Sequence, residues 1–227
     1  MIHNIIYWGL YLLFLYSSIP KKYKSFTIVS NLVSLTHALI TITGSLYFIL
    51  NETWNQDTFN NKLWLINISS SYFIYDIVFI IINKLFINKL FINKLLTNTD
   101  YIFLLHHVLI IIVYYITLKY DYGSKLVIYT IFWGELTNPL QITWGLSRYF
   151  KYTKFEEYLF PVFSFNFIVI RTLVIPYINY TIIKSLFNNN NYYLPNICLS
   201  ILSVLGNIGG IIWVKNINNK INIHKFF

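Results

Sequence analysis

The chain alternates long apolar runs with short polar segments along its whole length. Each run is close to the roughly 20 residues that an α-helix needs to cross a hydrocarbon core about 30 Å thick. Seven such runs are present: 2–19, 26–50, 63–82, 101–118, 126–146, 158–183 and 193–214. Membrane-spanning β-strands are only about 9–11 residues long and alternate in polarity, so the run lengths favour helices. The pattern predicts an all-α, polytopic membrane helical bundle of about seven transmembrane helices, forming a single transmembrane domain over residues 1–227.

The first run, residues 2–19, has two interpretations. It ends just before Pro20 and a cluster of lysines, so its short length resembles the apolar part of a signal peptide. It lacks the basic start and the small-residue cleavage site that a signal peptide carries. We therefore expect this run to be retained as a helix.

Composition agrees with a membrane protein and excludes the main soluble classes. Hydrophobic residues make up 56% of the 227 residues, charged residues make up only 11%, and the mean hydropathy is +0.56. A soluble domain usually carries about 25% charged residues. The 20% aromatic content excludes intrinsic disorder. Cys198 is the only cysteine, which excludes a disulfide framework and any cysteine-based metal site.

The net charge of +9 is distributed unevenly between the predicted loops. Twelve Lys and Arg residues fall in alternate loops and the C-terminal tail, whereas four fall in the loops on the other side. Cytoplasmic loops carry the basic excess in membrane proteins. The bias predicts a cytosolic C-terminus and a lumenal or extracellular N-terminus. Since topology explains the charge, we do not expect nucleic acid as a partner.

Two short motifs lie in the predicted loops. Residues 82–96 read INKLF-INKLF-INKLL, which is either a local expansion in a loop or a basic interfacial segment that contacts anionic lipid headgroups. Residues 51–53 form a glycosylation sequon, Asn-Glu-Thr, on the side predicted to be lumenal.

Six ionisable side chains fall inside the predicted spans, where a charge is costly. They are His37, Asp76, His106, His107, Glu135 and Arg171. A central Asp or Arg costs roughly 2.5–3.5 kcal/mol on insertion scales. Three unpaired charges would therefore cost about 8–10 kcal/mol, comparable to the whole net stability of a domain, about 5–15 kcal/mol. We expect each group to be paired, neutral, or exposed to a hydrated cavity.

Helical spacing places further polar residues beside these groups. Two shared faces are predicted by the three-and-four rule: Ser34, His37 and Thr41 on the second helix, and Ser69, Tyr72 and Asp76 on the third. Structural pairs such as Glu135–Arg171 or Asp76–Arg171 offer one explanation of the buried charges.

Two prolines are predicted to disturb the helices beside these charges. Pro139 has no N–H, so the carbonyl of Glu135 loses its helical partner and a kink is expected near Asn138. Pro176 likewise frees the carbonyl of Thr172.

The adjacent histidines do not predict a metal site. His106 and His107 point about 100° apart on a helix, so at most one faces the interior squarely. Helical metal sites use spacings of three or four residues. None of the five histidines has such a spacing, so we expect no metal.

Six segments together resemble the TLC domain, named for the Tram, Lag and CLN proteins, a family that includes the ceramide synthases. The segments are SLTHALITITGSLYF (34–48), SSYFIYDIVFI (70–80), LLHHVLIIIVYY (104–115), GELTNPLQITWGL (134–146), FNFIVIRTLVIPY (165–177) and LGNIGGIIWVKNI (205–217). Their order and spacing are similar to the family over residues 25–217. Within the family, the chain most resembles the branch of small proteins called TLC domain-containing protein 4, or transmembrane protein 56.

The resemblance implies a helical bundle around a lipid-accepting cavity, in the endoplasmic reticulum or a related membrane. His106 and His107 match the paired histidines of the acyl-transfer centre in ceramide synthases. The acidic group that follows in those enzymes is incomplete here, because residues 133–138 hold one carboxylate, Glu135, and lack a second. This departure weakens the expectation of ceramide synthesis.

Three functions follow as hypotheses. The first is membrane lipid homeostasis, in which the protein binds, moves or senses membrane lipids in a cavity lined by His37, Asp76, Asn138 and Arg171. The second is a ceramide-synthase-like N-acyltransferase. There His106 or His107 would act as base or acyl acceptor, Glu135 would orient the imidazole, and Arg171 or lysines would meet the phosphates of acyl-CoA. Acyl-CoA would then be a co-substrate, and no resident cofactor is expected. A seven-helix receptor or transporter is the third hypothesis.

Overall fold

A computed structural model of the chain describes residues 2–21, 25–51, 63–83, 98–187 and 193–224. Throughout these ranges the regular secondary structure is helical, and no strand occurs in them, so the predicted all-α class is confirmed. The INKLF repeat from residue 84 onward lies outside the described residues. The same is true of residues 52 and 53 in the glycosylation sequon.

Nine α-helices and one π-helical segment make up the described part of the chain. The α-helices are α1 Ile2–Ser18, α2 Phe26–Asn51, α3 Leu63–Ile82, α4 Asn98–Tyr120, α5 Ser124–Glu135, α6 Asn138–Tyr149, α7 Thr153–Val169, α8 Ile175–Leu186 and α9 Tyr193–His224. The π-helical segment, Ile170–Val174, joins α7 to α8.

Five helical stretches are long and apolar enough to cross a membrane. They are Phe26–Asn51, Leu63–Ile82, Asp100–Tyr120, Thr153–Leu186 and Tyr193–Lys215. They coincide with five of the seven predicted spans. The first predicted span is a helix of 17 residues, which is shorter than the roughly 20 that cross a bilayer without tilt or thinning.

The fifth predicted span, 126–146, is divided into two helices of 12 residues each. α5 ends at Glu135 and α6 begins at Asn138. Pro139 lies in the first turn of α6, where a missing N–H leaves no helical hydrogen bond unmade. The disturbance expected from Pro139 is present as a two-residue interruption at Leu136 and Thr137, which keep helical φ and ψ, immediately after a carboxylate.

The sixth predicted span, 158–183, runs through α7, the π-helical segment and α8. Immediately before Pro176, the N–H of Ile175 bonds to the carbonyl of Ile170, which widens the helix by one residue. Arg171 lies inside this widened turn. The disturbance predicted at Pro176 is thus present as a π-helical turn, a feature found often at functional sites.

Six helical walls of the bundle pack against one another in a closed ring: α2, α3, α4, α9, the π-helical segment together with α8, and α5. In order, α2 packs against α3, α3 against α4, α4 against α9, and α9 against the π-helical segment and α8. The π-helical segment and α8 pack against α5, and α5 packs against α2, which completes the ring. Outside the ring, α1 lies against α2 and α3, and α6 lies against α2 and α7. Each wall can therefore direct side chains towards a common interior.

α4 illustrates how the bundle divides its surfaces. One face exposes large apolar side chains: Leu105, Val108, Ile112 and Tyr115. The opposite face buries polar ones: His107, Tyr114 and Thr117. A helix in a soluble protein has the opposite arrangement, with its apolar face buried and its polar face exposed. It is the arrangement expected where lipid surrounds the bundle and polar groups must find partners inside it.

The turn between α4 and α5 depends on one glycine. Gly123 has a φ of 80°, a backbone conformation that residues with a Cβ rarely adopt. A Cβ at this position would also lie 2.7 Å from Cδ1 of Leu199, which is fully buried in α9. The turn therefore excludes a larger residue on grounds of both conformation and space.

Gly123→Ala should destabilise the bundle by about 1–3 kcal/mol, the usual range for a strained backbone conformation. Gly145→Ala is the control, because a Cβ at Gly145, in α6, would have no neighbouring atom within 4 Å. In a helix that change is neutral or stabilising by up to about 1 kcal/mol. Thermal unfolding in detergent compares the two variants. Equal melting temperatures of the two variants would contradict the requirement for glycine at position 123.

Candidate functional site

Four predicted residues meet inside the ring as two histidine–carboxylate pairs. His37 comes from α2, Asp76 from α3 and His107 from α4, and Glu135 is the last residue of α5. All four side chains are buried, with residue exposures of 1%, 8%, 7% and 9% for His37, Asp76, His107 and Glu135 respectively. These four residues are called the histidine–carboxylate centre below.

His37 lies between the carboxylate of Glu135 and the hydrogen-bonded hydroxyl groups of Ser69 and Tyr114. Its Nδ1 lies 3.8 Å from Oε2 of Glu135, and its Nε2 shares a 3.2 Å hydrogen bond with Oγ of Ser69. Ser69 in turn shares a 3.1 Å hydrogen bond with the hydroxyl of Tyr114. The imidazole also stacks on the ring of Tyr72, with centroids 3.7 Å apart. One ring nitrogen and one ring face are thus held by the protein, and the other nitrogen faces the carboxylate beyond hydrogen-bond distance.

The second pair is closer but is not hydrogen-bonded. Nδ1 of His107 lies 3.3 Å from Oδ2 of Asp76, within ion-pair distance. Among the described residues this buried Nδ1 has no hydrogen-bond partner. The ring of Phe73 packs 4.9 Å from the imidazole.

The break between α5 and α6 supplies a partner for Glu135. Nδ2 of Asn138 donates a 2.7 Å hydrogen bond to Oε2 of Glu135. Asn138 is the first residue of α6, so its side chain reaches back across the break. This hydrogen bond orients the carboxylate that faces His37.

Arg171 has different surroundings from those expected. Its Nη2 donates a 2.9 Å hydrogen bond to the carbonyl of Gly134, and its guanidinium lies over the rings of Phe167 and Trp213, at 5.3 and 5.8 Å. Neither Glu135 nor Asp76 lies within ion-pair distance of Arg171, and each carboxylate lies beside a histidine instead. Nε of Arg171 is buried with no hydrogen-bond partner in the described part of the chain.

The adjacent histidines face different helices, as their 100° separation predicted. His107 lies beside Asp76 of α3, whereas the ring of His106 meets Trp213 of α9 edge-on, with centroids 4.8 Å apart. Their own ring centroids are 5.7 Å apart. Only His107 of this pair belongs to the histidine–carboxylate centre.

Sequence reasoning missed three aromatic residues of the site. Tyr114 lies seven residues after His107, two turns along the same face, and that spacing was a usable signal. Trp213 contacts both Arg171 and His106, and Trp8 of α1 packs edge-on against His37 at 5.9 Å. No local pattern distinguishes either tryptophan from the other apolar residues around it.

The centre can transfer protons and form hydrogen bonds to a polar group. A histidine beside a carboxylate is a common arrangement for accepting and returning a proton. Across the described ranges, no group of three or more His, Cys, Asp or Glu residues could hold a metal ion. The centre and its neighbours offer imidazole, carboxylate, amide and hydroxyl groups.

The family model of the TLC domain (TRAM, LAG1 and CLN8) matches residues 27–219. The chain belongs to the TLC domain family. The resemblance predicted over residues 25–217 is confirmed, and every member of the histidine–carboxylate centre lies inside the match. With its long apolar helices, this TLC-domain protein is a multi-pass membrane protein. A search of curated proteins and a search of solved structures each found no match.

Tyr114→Phe should destabilise the TLC bundle by about 0.6–1.7 kcal/mol, because Ser69 loses a hydrogen-bond partner inside the membrane. Tyr115→Phe is the matched control, since Tyr115 is the neighbouring residue but 59% exposed on the outer face. Thermal unfolding in detergent measures both variants. A loss of stability as large in Tyr115→Phe would show that the Ser69 contact is not the cause.

Proposed function

We propose that this TLC-domain protein binds a membrane lipid at the histidine–carboxylate centre and acts in membrane lipid homeostasis. The observation that carries the proposal is the convergence of two histidines and two carboxylates, from four helices, in the interior of the ring. Ionisable groups inside a membrane bundle are costly, and by default they mark a functional site.

The separation of apolar outer faces from a polar interior supports a lipid as the ligand. The outer faces of the helices carry exposed apolar side chains, such as Leu105 and Ile112 on α4, that suit acyl chains. The centre offers donors and acceptors that suit a polar headgroup. The resemblance to a family that includes the ceramide synthases supports the same ligand class.

The proposed location is the endoplasmic reticulum membrane, with the C-terminus in the cytosol. The excess of twelve Lys and Arg residues over four in the predicted loops supports this orientation. The family resemblance supports the organelle. Closeness to the TLC domain-containing protein 4 branch stays a prediction.

Deletion of the gene should change the abundance of at least one lipid class, and the wild-type protein should restore it. His107→Gln should fail to restore it at normal protein abundance, because glutamine keeps a polar side chain but loses the imidazole that lies beside Asp76 in the centre. His3→Gln is the control, since His3 is exposed in α1. Lipidomics and quantitative immunoblotting of membranes are the measurements. No lipid change on deletion, or full restoration by His107→Gln, would contradict the proposal.

The second candidate is an N-acyltransferase, favoured by the 3.3 Å approach of His107 Nδ1 to Asp76 Oδ2. In such a reaction an amine attacks the thioester carbonyl of acyl-CoA, a C–N bond forms, and the C–S bond breaks. His107 would take the amine proton and return it to the departing thiolate. Asp76 would stabilise the charged imidazole, a role that the sequence had suggested for Glu135.

For that candidate, purified protein should acylate a sphingoid base in the presence of acyl-CoA. His107→Ala and Asp76→Asn should each lower kcat by about 100-fold or more, the usual contribution of a positioned general base. His106→Ala should have a smaller effect because His106 contacts Trp213, and His3→Ala should have none. Product formation followed by mass spectrometry decides the question, and the absence of an acylated product excludes this candidate.

A further inference from the structure

Arg171 is a cation in the interior with no carboxylate within ion-pair distance among the described residues. Within the described ranges its only hydrogen bond goes to the carbonyl of Gly134, which is polar but uncharged. The rings of Phe167 and Trp213 cover the guanidinium. A guanidinium carries five N–H donors, and the buried Nε–H has no partner among the residues that the structure describes.

The two carboxylates of the interior are engaged elsewhere. Glu135 accepts from Asn138 and lies beside His37, and Asp76 lies beside His107. The other arginine of the chain, Arg148, is paired with Glu156 at 3.1 Å, and its side chain is 53% exposed. The exposed arginine therefore has a carboxylate within ion-pair distance, whereas the arginine inside the bundle has none in the described part of the chain.

The surroundings of Arg171 position its guanidinium. The hydrogen bond to Gly134 holds one nitrogen, and the ring centroids of Phe167 and Trp213 lie 5.3 and 5.8 Å from Cζ. A planar guanidinium positioned in this way is suited to two-pronged binding of a carboxylate or phosphate. The residue as a whole is only partly buried, and on its α9 side it faces Gly210, which has no side chain.

We propose that Arg171, held by Gly134, Phe167 and Trp213, binds the anionic headgroup of a membrane lipid through its carboxylate or phosphate. The proposal rests on the lipid-binding function above and specifies the charge of the lipid. Trp213 contacts both Arg171 and His106, so a headgroup bound here lies next to the paired histidines. An anion at this position places an opposite charge in direct contact with the guanidinium, which no described carboxylate does.

The test is lipid binding by the purified full-length protein in nanodiscs of phosphatidylcholine. The probes are oleate with oleyl alcohol as its neutral counterpart, and phosphatidic acid with diacylglycerol as its neutral counterpart. Binding is measured as the concentration-dependent rise in melting temperature that a ligand of the folded state produces. The variants are Arg171→Met, Arg171→Lys and the matched control Arg148→Met.

We expect wild-type protein to bind at least one anionic lipid in preference to its neutral counterpart. Arg171→Met should weaken that binding by about tenfold to a hundredfold, equivalent to about 1.4–2.8 kcal/mol. Arg171→Lys should keep part of the affinity, because it keeps the charge but loses the planar fork. Arg148→Met should bind like wild type. Preference for oleate identifies a carboxylate ligand, and preference for phosphatidic acid identifies a phosphate.

Several outcomes would overturn the proposal. Equal binding of anionic and neutral lipids would show that charge is not recognised, while leaving the proposed lipid function intact. Unchanged affinity in Arg171→Met, with a lower melting temperature without ligand, would show a purely structural role. Saturable binding of free coenzyme A without binding of either anionic lipid would identify a soluble ligand. If no lipid binds to wild-type protein, the proposed function fails as well.

Discussion

The bundle is organised by one constraint: a titratable group inside a hydrocarbon layer must face the interior of the bundle, away from the lipid. His37 and Glu135 lie 3.8 Å apart, and His107 and Asp76 lie 3.3 Å apart. These approaches join α2 to α5 and α3 to α4, so they relate four walls of the ring to one another. Apolar packing alone would specify these contacts less strictly, because lipid tails are as apolar as the helices they surround.

The backbone irregularities occur next to the charged side chains. The break after Glu135 lets Asn138 reach back to the carboxylate, and the π-helical turn contains Arg171. Each irregularity precedes a proline, which removes a backbone donor and so makes regular helix less favourable there. Pro139 and Pro176 therefore lie beside the two places where the helices depart from regular geometry and hold an ionisable side chain.

Much of the fold could be predicted from local pattern. Runs of about 20 apolar residues must be helical in lipid because every backbone N–H needs an internal partner, and Pro139 indicated where one helix would be interrupted. Which carboxylate meets which histidine could not be predicted. It depends on the rotation and depth of helices far apart in the chain, and Arg171 looked like a natural partner for Glu135. Trp8 gave no signal because its role is set by packing alone.

The position of Trp8 has a consequence for where the functional unit begins. The family match starts at residue 27, after α1, yet Trp8 of α1 packs edge-on against His37 and Tyr72. Its indole Nε1 also donates to the carbonyl of Ile68 in α3 at 3.4 Å. A chain begun at residue 27 would keep the complete family domain and lose this aromatic contact. The boundary of the homologous domain and the boundary of the packed unit are therefore different in this protein.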